Sequence, residues 1–254
     1  MESSRRRLLG AACLSAIVAL TTVGTAPAST ADTSPKNCRV KNTTQDTWFA
    51  TDSGLALTNA LGAAQSGDRL NVFGTCRGSF TPTVSLTIAG STWAKHPTAL
   101  LGTASGRILN TVPETTVRLT RLTFRGGTAG GIQVTEGAAA TLSHSRVVGN
   151  STVSRAGAGI LNGGDLTISS SRILRNHSAL DGGGIFNFGN LEVNDSAINR
   201  NQASDGGGLF TEGAAVLNGS QVRFNSGGGI LDVAGITLND TVVSDNSPYD
   251  CSCG

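Results

Sequence analysis

The sequence predicts an all-β fold, a right-handed parallel β-helix solenoid with a short N-terminal capping helix. Three observations predict it: glycine clusters with a period of about 24 residues, a Ser/Thr-centred apolar pattern after each cluster, and one asparagine closing each unit. The clusters are Gly157 with Gly159, Gly182 to Gly184, Gly206 to Gly208 and Gly227 to Gly229, and their last glycines stand 25, 24 and 21 residues apart. The second pattern, apolar-x-x-Ser/Thr-x-apolar, reads Ile168, Ser171, Ile173; Val193, Ser196, Ile198; Leu217, Ser220, Val222; and Leu238, Thr241, Val243. The closing asparagines are Asn150, Asn176, Asn201, Asn225 and Asn246.

Runs such as Leu191 and Val193 alternate with period two between Gly, Asn and Asp, which marks short strands rather than helices. A unit of this length has no core of its own, so each must bury its inner face against the next. Three short sheets wound around a narrow core satisfy that need, with coils one strand spacing, about 4.8 Å, apart. Glycine allows close backbone approach at the corners, and an inward asparagine at an equivalent turn bonds its own coil and its neighbour. Less regular coils extend upstream: Leu119, Leu122 and Phe124 align with Leu142, Ser145 and Val147, and Leu86 to Ala89 reads as an earlier strand. Leucine-rich or ankyrin arrays would need a leucine ladder or paired helices, and a propeller needs longer, more aromatic units.

Residues 53–66 place Leu57, Ala60, Leu61 and Ala64 on one helical face, followed by Gly67, Asp68 and the alternating Leu70 and Val72. This segment is expected to cap the open end of the stack, since an uncovered coil presents an unpaired strand edge. The N-terminus carries Arg5, Arg6 and Arg7, an apolar stretch from Leu8 to about Val23 and small residues at Ala26 to Ala31, the layout of a secretory signal. Cleavage after Ala28 and after Ala31 fit equally. The stretch SRRRLLG resembles the twin-arginine export consensus, and an ordinary positive n-region is the rival reading. The expected organisation is therefore a signal peptide over 1–31, an N-terminal segment with the capping helix over 32–67, the β-helix over 68–246 and a tail over 247–254.

The 254 residues carry 19 basic and 17 acidic side chains; setting aside three arginines and one glutamate in the first seven residues leaves 16 of each. A formally neutral body argues against nucleic acid held by counterion release. Beyond Cys13 in the leader, Cys38, Cys76, Cys251 and Cys253 allow three pairings in an exported chain. Cys38 with Cys76, stapling the N-terminal segment to an early coil, is the expectation, followed by Cys251 with Cys253 in the tail. No transmembrane anchor is read in the mature chain.

The units GGGIFNFGNLEVNDSAINRN, GGGLFTEGAAVLNGSQVRFN and GGGILDVAGITLNDTVVSDN, with a degenerate form beginning AGAGILNGGDLTISSSRILRN, resemble secreted bacterial β-helix repeat proteins of the pectin-lyase-like fold class. Their GGGI repeats are similar to those of polymorphic outer-membrane proteins. The resemblance is strong over about residues 128 to 246. It implies the fold, but the class includes lyases, hydrolases, esterases, epimerases and adhesins, so chemistry must be argued from residues.

A polysaccharide lyase needs a base and often Ca²⁺ against the uronate carboxylate. Its candidates here are Arg175 or Arg200 as base, with Asp181 and Asp205 as calcium ligands one coil apart; at Ser226 the expected acidic stack stops. A glycoside hydrolase needs two carboxylates; Asp195 and Asp240 occupy similar turns with Gly219 between them, and the NTD, DD, GHG and RIK elements of polygalacturonases are absent. His96, His144 and His177 are dispersed and read as surface residues. Arg118, Arg121 and Arg125 start a basic patch continuing toward Arg146, Arg172, Arg175 and Arg200, with Asp165, Asp181, Glu192 and Asp195 interspersed in the sequence. Trp48 and Trp93 are the only tryptophans, and core packing is their expected role. The reading that follows is a secreted surface or binding module directed toward carbohydrate or a cell-surface component. No cofactor is predicted for it, and Ca²⁺ enters only with the lyase alternative.

Overall fold

The computed structural model describes residues 38–51, 55–91, 98–104 and 106–253; the leader with Cys13, and also Trp93 and His96, lie outside the described residues. Alternation and β-branched residues give short strands, and each coil contributes one to each of three parallel sheets, here A, B and C. One coil runs from Ile160–Asn162 in sheet C to Asp165–Ser169 in sheet A and Arg172–Leu174 in sheet B. The next repeats it as Ile185–Asn187, Asn190–Asn194 and Ala197–Asn199. Pairing is in register, with Ile160 beside Ile185, Leu166 beside Leu191 and Ile173 beside Ile198. About seven turns stack in this way.

The register turns the repeated sequence into core columns. Leu119, Leu142, Ile168, Val193 and Leu217 line the inside of sheet A, while Phe124, Val147, Ile173, Ile198 and Val222 line sheet B, all buried. Ile132, Ile160, Ile185, Leu209 and Ile230 complete the third wall.

The asparagines form a continuous inner ladder. Oδ1 of Asn201 accepts from the backbone N–H and from Nδ2 of Asn176, both at 3.0 Å, while its own Nδ2 donates to Asn225 Oδ1 and to the Ile173 carbonyl. The same bonds link Asn150 to Asn176 and Asn225 to Asn246. The clusters' last glycines make room for it: a Cβ on Gly159, Gly184 or Gly208 would stand 2.9 Å from the Nδ2 of Asn176, Asn201 or Asn225 and would strike the carbonyl of the coil above. A second ladder runs through Ser145, Ser171, Ser196, Ser220 and Thr241, where each backbone N–H donates to the next hydroxyl at 3.0–3.3 Å.

The first coil is closed by elements outside the repeat. Strands Cys38–Asn42 and Thr47–Thr51 form an antiparallel hairpin, and Cys38–Asn42 also pairs antiparallel with Arg69–Arg77, whose two halves begin sheets A and B. The helix Leu55–Ala63 is shorter than the expected 53–66 and buries Ala56, Leu57, Ala60 and Leu61. Cys38 is bridged to Cys76 with the Cα atoms 4.7 Å apart. Buried Asp68 accepts from Asn42 Nδ2, Gln45 Nε2 and the Gln65 N–H at 2.7–2.8 Å, tying the hairpin, the helix end and the first strand together.

The tail continues the solenoid: Ser247 bridges to Ser226, and Cys251–Ser252 pairs with Ile230–Leu231 because the Asn246 ladder bond carries the same register into it. Cys251 is paired with Cys253. The last coil is only partly covered, leaving Leu238 38% and Val242 50% exposed. One corner varies in length: from the ladder asparagine to the residue opening the sheet C turn it spans nine residues at Asn150–Gly159, eight at Asn176–Gly184, seven at Asn201–Gly208 and four at Asn225–Gly229.

Asn201→Ala leaves two donors of Asn176 and the Ile173 carbonyl without their buried partner. It is expected to cost about 3 kcal/mol in urea unfolding, whereas Asn246→Ala, half-buried at the end of the ladder, costs about 1 kcal/mol. Reduction of the Cys38–Cys76 bridge, which spans 38 residues, is expected to lower stability by about 3–4 kcal/mol, measured by unfolding with and without reductant.

Candidate functional site

The outer face of sheet B is built by residues that alternate with the core column. Arg146 and Arg172 are direct neighbours on adjacent strands, and Arg125, Val148, Leu174, Asn199 and Arg223 form the parallel outward row. Arg175 and Arg200 follow the strands at a corner where the backbone is left-handed, with φ of 53° and 55°, so their side chains project at successive levels of one edge. A second left-handed corner precedes the strands and stacks Arg121, His144, Ser170, Asp195, Gly219 and Asp240.

Together these positions surround an open cavity of about 550 Å³ whose lining includes Arg146, Arg172, Arg175, Arg200 and Asp195. The acidic residues that punctuate the arginines in the sequence are largely separated from them in space. Asp165 and Glu192 belong to sheet A and Asp181 lies in the variable corner, which leaves Asp195 as the carboxylate among the cavity's lining residues. Arg118 is likewise on sheet A, beside Thr87 and Thr141, and is not part of this face. The reason is the three-sheet wrap: a corner between two strands sends residues close in the chain, such as Glu192 and Asp195, to different walls.

The chemistry available at the cavity is electrostatic. Ser171 and Ser196 line it, but their hydroxyls are held in the inner ladder, donating to Ser169 and Asn194 carbonyls at 2.7–2.8 Å and accepting from the coil before. Arg200 lies 5.3 Å and Arg223 5.1 Å from the centre of the Phe224 ring, while Arg223 is ion-paired to Asp245. That pair and the Ser244 hydroxyl hold the Asp245 carboxyl below the usual range, the Arg223 hydrogen bond contributing most. Planar guanidinium groups repeated up a flank, with one carboxylate among them, suit carboxylate or sulfate groups in bidentate contact.

The residues considered for calcium lie elsewhere. Asp181 and Asp205 are at equivalent positions of adjacent coils, their carbonyls accepting from Gly157 and Gly182. Neither lines the cavity of Arg175 and Arg200. The next level is occupied by the Tyr249 ring, whose hydroxyl donates to Asp205 Oδ1 at 3.3 Å and accepts from the Gly206 N–H. Burial, and then the charges of Asp205 and Asp181, push the Tyr249 hydroxyl above its ordinary pKa, while the Gly206 N–H acts the other way. Ser226 is not the third member of this stack: it bridges to Gln202 and Ser247, because its corner is shorter and the position equivalent to Asp205 is missing. Two carboxylates and a phenol fall short of the six to eight oxygens that calcium takes, and among the described residues no three His, Cys, Asp or Glu side chains are grouped to hold a metal.

Asp195 and Asp240 share a corner with Gly219 between them, and only Asp195 lines the cavity. His144 is exposed at that corner and His177 in a separate short strand, His177–Ser178. Trp48 corrects its expected core role: it is 47% exposed, beside Phe73 and under Arg39 and Lys41 at 4.8 and 5.5 Å, because it sits on the hairpin outside the coil walls. The stacked rings of Phe186 and Phe210 on sheet C, 5.0 Å apart, were legible only as the repeated second apolar residue after each glycine run.

Among the described residues no helix is long and apolar enough to cross a membrane. No curated protein and no solved structure matches the chain. The family described as right handed beta helix region matches residues 102–250, more than half of the sequence and the span that carries the asparagine ladder and the arginine-lined sheet. With that match and the parallel coils in register, the chain belongs to the right-handed β-helix family.

Proposed function

We propose that this β-helix is an exported module that binds an acidic polysaccharide along the outer face of sheet B. The observation that carries the reading is the grouping of Arg146, Arg172, Arg175 and Arg200 around one open cavity with a single carboxylate among its lining residues. Cationic side chains repeated at the coil spacing of about 4.8 Å offer an extended polyanion many weak contacts at once, and partial exposure makes those contacts sensitive to salt. The commitment of Ser171 and Ser196 to the inner ladder supports binding without turnover at this face. Export by the leader, through the twin-arginine or the general route, is supported by the positive n-region and by the Cys38–Cys76 bridge, a feature of oxidising compartments.

The test is retention of the mature chain on immobilised polygalacturonate across a sodium chloride gradient, with a neutral glucan as control. Retention is expected on the acidic glycan alone and is expected to fall about tenfold or more in the double variant Arg172→Gln, Arg175→Gln, whose thermal stability stays unchanged because both side chains are exposed. Equal retention of the variant would sink the assignment to this face. Ultraviolet-absorbing products that grow with Ca²⁺ would replace it with a calcium-dependent lyase reading.

A further inference from the structure

A second cavity, of about 490 Å³, opens at the variable corner and shares no lining residue with the face of sheet B. It is walled by Arg107 and Arg155 together with Ser79, Asn110, Thr128, Thr152 and Ser154, and no carboxylate lines it. Arg107 is the largest fully buried side chain, 2% exposed, in a column whose next positions are the small residues Gly130, Ala158 and Gly183. Its Nη1 donates to the carbonyls of Gly157 and Ile132 and its Nη2 to that of Ala156 at 2.7 Å. Gly130 keeps the guanidinium in place by what it lacks, since a Cβ there would overlap Nη1.

Three carbonyl dipoles solvate this cation but do not neutralise it. Among the described residues neither Arg107 nor Arg155 has an ion-pair partner, and Arg107 Nε is a buried donor with no acceptor. Burial, reinforced by the charge of Arg155, pulls the Arg107 pKa down to about 10, so it remains protonated at neutral pH. Removing one partner from a buried charge is costly, and a buried donor left unmade costs comparably, so a site with two cations, an orphaned N–H and a hydroxyl rim lacks one component. An anion supplies it.

We propose that this cavity binds a tetrahedral oxyanion, sulfate or phosphate, held by the charges of Arg107 and Arg155 and by the hydroxyl and amide groups of the rim. Arg155 is exposed and reaches the anion from solvent, while Arg107 supplies fixed charge from the core. Ser79 and Thr152 are already partly engaged, Ser79 donating to the Arg107 carbonyl at 2.7 Å and Thr152 Oγ1 accepting from the Arg155 N–H at 3.2 Å. The Asn110 Nδ2 donates to Ser79 Oγ at 3.4 Å, and Thr128 and Ser154 are the remaining polar groups of the wall. The oxyanion is either a free ion or an ester group on a glycan; the chemistry recognised is the same.

The experiment is calorimetric titration of the mature chain with sodium sulfate and with sodium phosphate at constant ionic strength set by chloride. Saturable binding at one site is expected, weakened about tenfold or more in Arg155→Gln and unchanged in Arg172→Gln, which belongs to the other face. Arg107→Gln removes the fixed charge and is expected to abolish binding; should it fail to fold, the Arg155→Gln comparison decides. Competition by a sulfated oligosaccharide identifies an ester group as the ligand, and its absence identifies the free ion. No saturable binding of either ion, or equal affinity in Arg155→Gln, overturns the proposal and leaves Arg107 as a brace for the carbonyls of Ala156 and Gly157.

Discussion

The hydrogen bond between ladder asparagines of adjacent coils is the interaction on which the rest of the structure depends. It is a joint property of two residue types: the amide of Asn201 reaches its neighbours only because Gly184 has no side chain at 2.9 Å from Nδ2. Every polar atom of the Asn201 side chain is satisfied within the stack, so its burial carries no unpaired group. Fixing one point per coil fixes the register of all three sheets, because a slip by one residue would turn Ile173 outward and Arg172 inward. The core columns and the arginine-bearing face are thus two readings of one alignment.

The same alignment separates scaffold from chemistry. The repeated serines, Ser171 and Ser196 among them, spend their hydroxyls on the inner ladder. What is left to the surface is the outward half of each strand and the left-handed corners, where Arg175 and Arg200 stand clear of the ladder bonds. A cationic flank on a rigid stack presents charge at fixed intervals without paying the ordering entropy that a flexible basic segment pays.

What was legible in the sequence was whatever recurs. Asn150 to Asn246, the Ser/Thr positions and the apolar columns each occur several times, and the structure sets them in line. The interspersed acids misled because linear proximity does not report which wall a residue joins: Glu192 and Asp195 are three apart, yet the first faces out of sheet A and the second turns the corner toward sheet B. Ser226 was misplaced because a shortened corner shifts the frame. Features that occur once left no periodic trace, among them the antiparallel hairpin that exposes Trp48 and the buried Arg107. Arg107 precedes two core aliphatics, Ile108 and Leu109, and in the sequence resembles any surface arginine next to a strand.

The corner that shrinks from nine residues after Asn150 to four after Asn225 does so without disturbing the asparagine on one side or the glycine on the other. Insertions and deletions can therefore accumulate there during divergence while the coils keep their frame, since the added chain projects away from the core. The longest version contributes Thr152, Ser154 and Arg155 to the wall around Arg107. In a stack whose interior is repetitive by necessity, that corner is the place where one coil can acquire an identity different from its neighbours.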